Sequence, residues 1–181
     1  MNFIVYDLEA TCWEVDIPGR IQEIIEIGAL KINEYGETES QFSSFVRPRE
    51  NPLLSDFCRR LTTISQIDVN RADDFPTVIA DFIDWIGYND DEEYLLCSWG
   101  FFDQKAFERD CRLHRLDADW CRPHISLKHQ YNDINRLAKP IGLRRAVERE
   151  GFDFTGTPHR GISDAENLAK IFVKYQDIWA Y

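Results

Sequence analysis

Apolar residues near the start of the chain fall into runs separated by polar turns. The runs are Phe3–Val5, Ile21–Ile32 and Ser40–Val46, and each predicts a strand. Residues 33–37 between the second and third runs include Gly36, which suits a hairpin turn. Three consecutive strands joined in this way predict an antiparallel portion of a sheet.

Helical spacing dominates the remainder, where only Tyr94–Ser98 and residues 125–127 predict further strands. Helices are predicted from Ser55, from Phe75, and over Phe102–Leu113, Lys128–Leu137, Leu143–Arg149 and Ser163–Tyr175. Phe102 is expected on the inner face of its helix. Hairpin strands followed by alternating strands and helices predict an α/β fold with a mixed five-stranded sheet flanked by helices. No linker interrupts the pattern, so a single domain over residues 1–181 is expected.

The composition is that of an ordinary globular protein, with 44% hydrophobic and 29% charged residues. No apolar run reaches transmembrane length, so no membrane association is expected. The first residues lack the basic flank and long apolar stretch of a signal peptide. The five cysteines are never spaced C-x-x-C, which favours reduced thiols and a cytoplasmic protein.

The formal net charge of −11 argues against non-specific binding to nucleic acid. It does not exclude an enzyme that acts on nucleic acid, because bound divalent cations invert the local charge of a site.

Two carboxylates follow the first apolar run. Side chains alternate along a strand, so Asp7 and Glu9 are predicted to share one face. Neighbouring acids repel each other, and burial makes each charge more costly. A cation would relieve this repulsion, and hard oxygen ligands favour Mg²⁺ or Mn²⁺. An isolated Asp-x-Glu is weak evidence, and the alternative is a pair of solvated acids at the end of a strand.

Two further acids and one histidine occupy positions suited to chemistry. Asp103 follows the fourth predicted strand, and Asp164 lies at the start of the last predicted helix, where an acid is also favoured by the helix dipole. His159 precedes Asp164 in a loop bounded by Pro158 and Gly161. Histidine is the side chain whose ordinary ionisation lies nearest neutral pH, so His159 is a candidate general base.

Several stretches together resemble a known family. They are Asp7-Leu8-Glu9-Ala10-Thr11-Cys12, Glu23–Ala29, Leu54–Cys58, Leu61–Ile64, Asp103, and Gly156–Asn167 with its His159-x-x-x-x-Asp164 spacing. In order and context they resemble the motifs of the DEDDh 3′–5′ exonucleases, nearest the subgroup that trims histone mRNA, small RNAs and ribosomal RNA. Many members have Asn three residues before the second-motif acid, where this chain has Gly100.

The resemblance implies a ribonuclease H-like fold and a metal-dependent hydrolase that releases nucleoside 5′-monophosphates from single-stranded 3′ ends, with RNA favoured. It implies two Mg²⁺ or Mn²⁺ ions held by Asp7, Glu9, Asp103 and Asp164, with one ion activating water and the other stabilising the leaving oxygen. His159, together with Glu9, would serve catalysis. The substrate would contact Ala10, Phe57, Phe102 and His159, with the two phenylalanines either stacking on bases or packing in the core. Basic residues expected to face phosphates are Arg59, Arg60, Lys128, Arg144, Arg145 and Arg160.

Three alternatives stay open at the level of sequence. The protein could be a phosphodiesterase that acts on dinucleotides or short oligonucleotides. It could be an exonuclease that acts on DNA. It could also be a binding module that has kept the fold but does not cleave its ligand. The last alternative predicts a missing metal ligand, and none of the four acids is missing. The sequence leaves the choice between RNA and DNA and the oligomeric state undetermined, because neither has a visible motif.

Overall fold

The structure is a computed structural model that describes residues 1–15, 17–90 and 92–181. Its strands are β1 Asn2–Ala10, β2 Ile24–Ile32, β3 Thr38–Phe45, β4 Tyr94–Ser98 and β5 His124–Ser126. They form one sheet in the order β3-β2-β1-β4-β5. β1 pairs antiparallel with β2 and parallel with β4, so the central strand joins an antiparallel half to a parallel half. The predicted mixed five-stranded sheet is confirmed.

Seven helices accompany the sheet within the described ranges. They are α1 Asp56–Thr62, α2 Gln66–Arg71, α3 Phe75–Ile86, α4 Phe102–His114, α5 Leu127–Ile134, α6 Leu143–Arg149 and α7 Gly161–Lys174. Ser55, the predicted cap, accepts a hydrogen bond from the Cys58 N–H at the start of α1. Ser65 and Asp74 cap α2 and α3 in the same way. No helix in these ranges is long and apolar enough to cross a membrane.

The two faces of the sheet are covered by different helices. Ile4, Tyr6 and Leu8 pack with α3 and α4 on one face, whereas Phe3 and Val5 pack with α5, α6 and α7 on the other. Side chains alternate along β1, so Asp7 and Glu9 continue the face of Phe3 and Val5. The two acids therefore face α7, which carries Asp164.

Two sequence expectations need correction. Phe102 is 47% exposed at the first position of α4, so its expected place on the inner face is wrong. α7 begins at Gly161 and not at Ser163. The reason for the earlier start is that the Gly161 N–H donates to the Glu26 carboxylate on β2, at 2.8 Å. A distant side chain thus satisfies a helix-terminal N–H that local sequence leaves open.

Candidate active site

Three carboxylates from two elements meet where β1 approaches the start of α7. One oxygen from each of Asp7, Glu9 and Asp164 can be chosen so that all three lie within 4.8 Å of one another. The Arg160 N–H donates to Asp164 Oδ2 at 3.1 Å and fixes that carboxylate at the beginning of the helix. The strand supplies two acids on one face, and the helix brings the third opposite them.

Asp103 lines the same cleft as this cluster, but it comes from a third element, α4. It is 6% exposed at the start of α4, and its Oδ1 accepts a hydrogen bond from the Leu8 N–H at 3.3 Å. Asp7, Glu9, Asp103 and Asp164 all line one open cleft of about 370 Å³. The four acids that the sequence singled out are therefore brought together.

The acids in the cleft have unusual protonation behaviour. Burial, with the charges of Asp103 and Glu9, raises the pKa of Asp7 well above its ordinary value. Burial and the Asp164 charge raise the pKa of Glu9 to about 8. Burial raises the pKa of Asp103 to about 7, against the lowering effect of the Leu8 N–H. Burial also raises the pKa of Asp164, although the Arg160 N–H opposes it.

Glu26 is a buried acid that is paired with a cationic side chain, unlike the four acids of the cleft. It lies opposite Glu9 on β2 and is 2% exposed. The Arg160 guanidinium donates from Nε and Nη2 to its carboxylate at 2.9–3.2 Å, and the Gly161 N–H adds a further bond. Across residues 1–15, 17–90 and 92–181, Asp7, Glu9, Asp103 and Asp164 form no ion pair with any lysine or arginine.

This donor set fits divalent metal ions. Carboxylate oxygens are the ligands that Mg²⁺ and Mn²⁺ prefer, and the four acids lack the cationic side chain that stabilises Glu26. Asp7, Glu9 and Asp164 can hold one ion, and Asp103 supplies a further oxygen in the same cleft. A bound cation would favour the ionised form of these acids and so oppose the burial and the mutual repulsion that raise their pKa values.

Two glycines allow α7 to approach the sheet closely enough to present Asp164. Gly28 lies opposite Asp7 on β2, and a Cβ placed there would fall 2.0 Å from the backbone of Gly161 and Ile162. A Cβ on Gly161 would fall 2.9 Å from the backbone nitrogen of Gly28 and 3.1 Å from the backbone carbonyl oxygen of Asp7. Backbone therefore contacts backbone at this crossing, which no residue with a side chain permits.

His159 lines the same cleft from the loop that precedes α7. Its side chain is exposed, and its φ of 59° lies in the left-handed region, which is uncommon for a residue other than glycine. Strained backbone of this kind persists where the surrounding structure imposes it, and it occurs preferentially at functional sites.

The remaining residues predicted to contact substrate lie in different environments. Phe102 lines the cleft with nearly half of its surface exposed, so its ring is available to a ligand. Phe57 is half-buried on α1, and Ala10 is buried at the end of β1. Neither is among the described residues that line the cleft, and their contact with substrate stays a prediction.

Three of the six predicted basic residues form ion pairs away from the four acids. Lys128 lines the cleft and can face a phosphate there. Arg160 is paired with buried Glu26, Arg59 with Asp56 and Arg144 with Glu148. Trp99 and Leu143 also line the cleft but were not identified from the sequence, since neither carries a motif.

Comparison with known proteins places this geometry in context. A family model described as "Exonuclease" matches residues 4–172. The human protein named 3′-5′ exoribonuclease 1 is 35% identical over 177 residues, which is 94% of this chain and 51% of that protein. The chain thus spans about half the length of this curated relative.

Two solved structures superpose closely on the fold. The nuclease domain of 3′hExo, described as a DEDDh family member bound to rAMP, has a TM-score of 0.89 at 34% identity, covering 97% of this chain and 92% of that one. A 3′-exonuclease described as recognising the end of a histone mRNA stem-loop has a TM-score of 0.89 at 33% identity, covering 97% and 81%.

Proposed function

This chain belongs to the exonuclease family, in its DEDDh group, whose fold is ribonuclease H-like, and from that premise we propose that it is a 3′–5′ exoribonuclease. It removes nucleoside 5′-monophosphates from the 3′ end of single-stranded RNA. The observation that carries the proposal is the convergence of Asp7, Glu9, Asp103, Asp164 and His159 on one cleft.

The four acids hold divalent ions, for which we propose Mg²⁺ or Mn²⁺. When bound, such ions activate water and stabilise negative charge on the phosphate and the leaving oxygen. Asp7 and Glu9 bind from the strand, Asp164 from α7 and Asp103 from α4. The Leu8 and Arg160 N–H groups orient Asp103 and Asp164, so that these carboxylates present fixed oxygens to the cations.

His159 accepts the proton of the attacking water. The new oxygen–phosphorus bond forms as the bond from phosphorus to the 3′-oxygen of the preceding nucleotide breaks. The departing oxygen becomes the new 3′-hydroxyl once it gains a proton from solvent. Carboxylates bound to cations are poor proton acceptors, so the imidazole on the exposed loop is suited to this role.

The choice of RNA rests on the named relatives, and the cleft supplies groups that suit a nucleic acid strand. The human relative is named an exoribonuclease, and the 3′hExo domain is described with bound rAMP. In this chain, Phe102 offers an exposed ring to a terminal base, and Lys128 offers a cation to a phosphate. We propose that Ala10 and Phe57 complete the substrate contacts.

The setting proposed for this activity is RNA 3′-end processing in the cytoplasm, with residues 1–181 acting as one catalytic unit. The five cysteines are free thiols, in keeping with a reducing compartment. The oligomeric state is not part of the proposal.

Degradation of end-labelled oligonucleotides tests the function. We expect single-stranded RNA to be shortened from its 3′ end in Mg²⁺ or Mn²⁺, with nucleoside 5′-monophosphates released and no activity in excess chelator. A block at the 3′ end should protect the strand, and a block at the 5′ end should not. Release of 3′-monophosphates, or full activity in chelator, would contradict the proposal. Faster cleavage of dinucleotides than of long strands would favour a phosphodiesterase of short oligonucleotides, and faster cleavage of DNA would favour an exodeoxyribonuclease.

A further inference from the structure

A second and larger groove lies away from the four acids, between the β1–β2 loop and α4. We call it the arginine groove, and its volume is about 640 Å³. Trp13 and Arg20 line it from the loop, and Arg109 and Arg112 line it from the helix. None of these residues belongs to the motifs that identify the catalytic site.

Positive charge in this groove stands out against the rest of the molecule. The chain has 32 acidic residues and 21 basic ones, yet three arginines line this single groove. Arg20 and Arg112 form no ion pair with any residue that the structure describes. Arg109 pairs through Nε with buried Asp110 at 3.1 Å, but its Nη2 is buried without a hydrogen-bond partner. With respect to the described residues, Arg20 and Arg112 therefore offer the groove guanidinium donors that form no ion pair.

An aromatic ring accompanies these donors. The Arg20 guanidinium carbon lies 5.0 Å from the centre of the Trp13 ring, so the loop presents a charge and an indole side by side. Guanidinium groups bind phosphate through paired hydrogen bonds, and indole rings stack on nucleobases. A small inorganic anion would not need the indole, and an apolar ligand would not need three arginines. The combination fits a segment of single-stranded nucleic acid.

The groove lies within reach of a strand that enters the cleft. Asp103 starts α4 at the cleft, and Arg109 and Arg112 follow about 9–14 Å further along the helix axis. Trp13 follows β1, which carries Asp7 and Glu9, after only a few residues. A strand of a few nucleotides spans such a separation.

We propose that the arginine groove binds the phosphate backbone and one base of the substrate strand, on the 5′ side of the nucleotides that occupy the cleft. The inference deepens the proposed function and rests on it. Its consequence is a preference for long strands over very short ones. Occupation of the groove holds the strand without contributing to the chemical step, so it should lower KM and leave kcat unchanged.

Kinetics on substrates of two lengths test the groove. The substrates are a trinucleotide and a single strand of about 20 nucleotides, which exceeds the roughly 4–16 nucleotides that single-strand sites cover. In the double variant Arg20→Ala/Arg112→Ala, we expect KM for the long strand to rise at least about tenfold with kcat unchanged, and the trinucleotide to be unaffected. The slope of log Kd against log salt should decrease by about 1.4, because two phosphate contacts are lost. Arg109 is left intact, since it pairs with buried Asp110.

The tryptophan contributes separately from the charges. Trp13→Ala should weaken binding of the long strand roughly 5- to 150-fold without changing the salt slope, and Trp13→Phe should restore most of the affinity. Arg122→Ala is the matched control, because Arg122 is exposed, pairs with Asp119 and does not line this groove. It should leave KM for both substrates unchanged.

Binding measured without turnover separates this proposal from the proposed function. Fluorescence anisotropy of the long RNA in chelator measures its binding to the groove, even if the protein cleaves no RNA. Three results would overturn the proposal. They are an equal rise in KM for both substrates in the double variant, an unchanged Kd for the long strand in that variant, and an equal loss of affinity in Arg122→Ala. Binding of poly-glutamate with no binding of RNA would also overturn it, since the groove would then be a site for acidic protein segments. Equal melting temperatures of the variants would confirm that the comparison concerns folded protein.

Discussion

At the scale of single residues, Glu9 and Glu26 illustrate two treatments of the same buried carboxyl group. They face each other across β1 and β2, yet only Glu26 is neutralised by a guanidinium and a backbone N–H. The unneutralised acids carry raised pKa values, whereas the neutralised one completes the start of α7. Removing a negative charge should therefore have opposite effects on stability at the two kinds of position.

Substitution of Asp7 and of Glu26 tests this contrast. In chelator at pH 8, Asp7→Asn should raise the free energy of unfolding by on the order of 1 kcal/mol, because burial and the neighbouring acids disfavour the ionised Asp7 carboxylate in the folded protein, and asparagine carries no such charge. Its activity should fall by more than the roughly 10–100-fold that follows loss of an outer-shell partner of a metal. Glu26→Gln should lower the free energy of unfolding by about 1–3 kcal/mol, since it leaves Arg160 without its partner. Denaturant titration measures both, and destabilisation by Asp7→Asn would contradict the argument.

His159 gives a second test at this scale. His159→Ala should reduce the rate about 10²–10⁴-fold, which is the usual range for loss of a general base. A general base must be unprotonated to act, so the rate of the wild-type protein should rise with pH, and the variant should lack that rise. Metal affinity, measured by calorimetry, should stay within a few-fold of the wild-type value because the imidazole is not expected to be a ligand. A variant that fails only because it no longer binds metal would disprove the assignment.

The catalytic candidates could be found from sequence because each lies in a short stretch whose residue types already suggest chemistry. Asp7 and Glu9 are two residues apart on a strand, and His159 and Asp164 are five apart around a helix start. The pairing of Arg160 with Glu26 spans 134 positions, and nothing local indicates it. Arg160 was accordingly expected to face phosphates, and the structure instead places it in an ion pair.

At the scale of elements, the site depends on how α7 meets the sheet. Asp164 reaches Asp7 and Glu9 because the backbone of Gly161 lies against that of Gly28. The start of this helix was expected at Ser163, and local rules for helix starts use only residues close in sequence. The actual start depends on a carboxylate from β2, so the earlier boundary could not be read from sequence around residue 161.

Gly28→Ala tests the role of this contact. The new Cβ would overlap the backbone of α7, so the helix must move away from the sheet, at a cost of about 1–3 kcal/mol or more. Because Asp164 moves with the helix, we expect metal affinity and activity to fall further than stability alone explains. Gly142→Ala is the matched control, since no atom lies within 4 Å of its added Cβ. Equal effects of the two substitutions on metal affinity, measured by calorimetry, would refute this account.

At the scale of the whole molecule, stability and metal content are linked through pH. Raised pKa values mean that the folded protein without metal retains protons that the unfolded chain releases. The stability associated with these protons is present at low pH and is lost as pH rises through about 7 for Asp103 and about 8 for Glu9. Burial lowers the pKa of His124 to about 4, so His124 contributes stability that increases as pH rises from about 4 and is nearly complete about one pH unit above the ordinary value of 6.5.

Melting temperatures at pH 6.5 and pH 8.0 test this linkage. In chelator, the wild-type protein should melt at a lower temperature at pH 8.0, and Asp7→Asn should show a smaller decrease. Saturating Mg²⁺ should raise the melting temperature most at pH 8.0, because the cation binds the ionised acids. The comparison with Asp7→Asn cancels the contributions of thiols and other groups that both proteins share. A wild-type melting temperature that decreases no more than that of the variant would contradict the linkage.

The distribution of charge over the molecule could be predicted only as an average. The net charge of −11 was known from the sequence, but it conceals the arginine groove. Arg20 and Arg112 are 92 positions apart and come together only when the β1–β2 loop folds over α4. The mixed five-stranded sheet was accessible because hydrophobic periodicity is local, whereas surface grooves depend on which loops meet.

The facing glycines at 28 and 161 also determine what evolution can change freely. Side chains between packed elements can change rotamer or be replaced by smaller ones, and the elements then shift. Two backbones already in contact have no rotamer to change and no space to close, so their separation does not depend on which aliphatic residues fill the core. Substitutions elsewhere in the core should therefore leave the distance between the strand and helix acids unchanged. Laboratory redesign of the core for heat resistance should, for the same reason, preserve the proposed metal site without any adjustment of its acids.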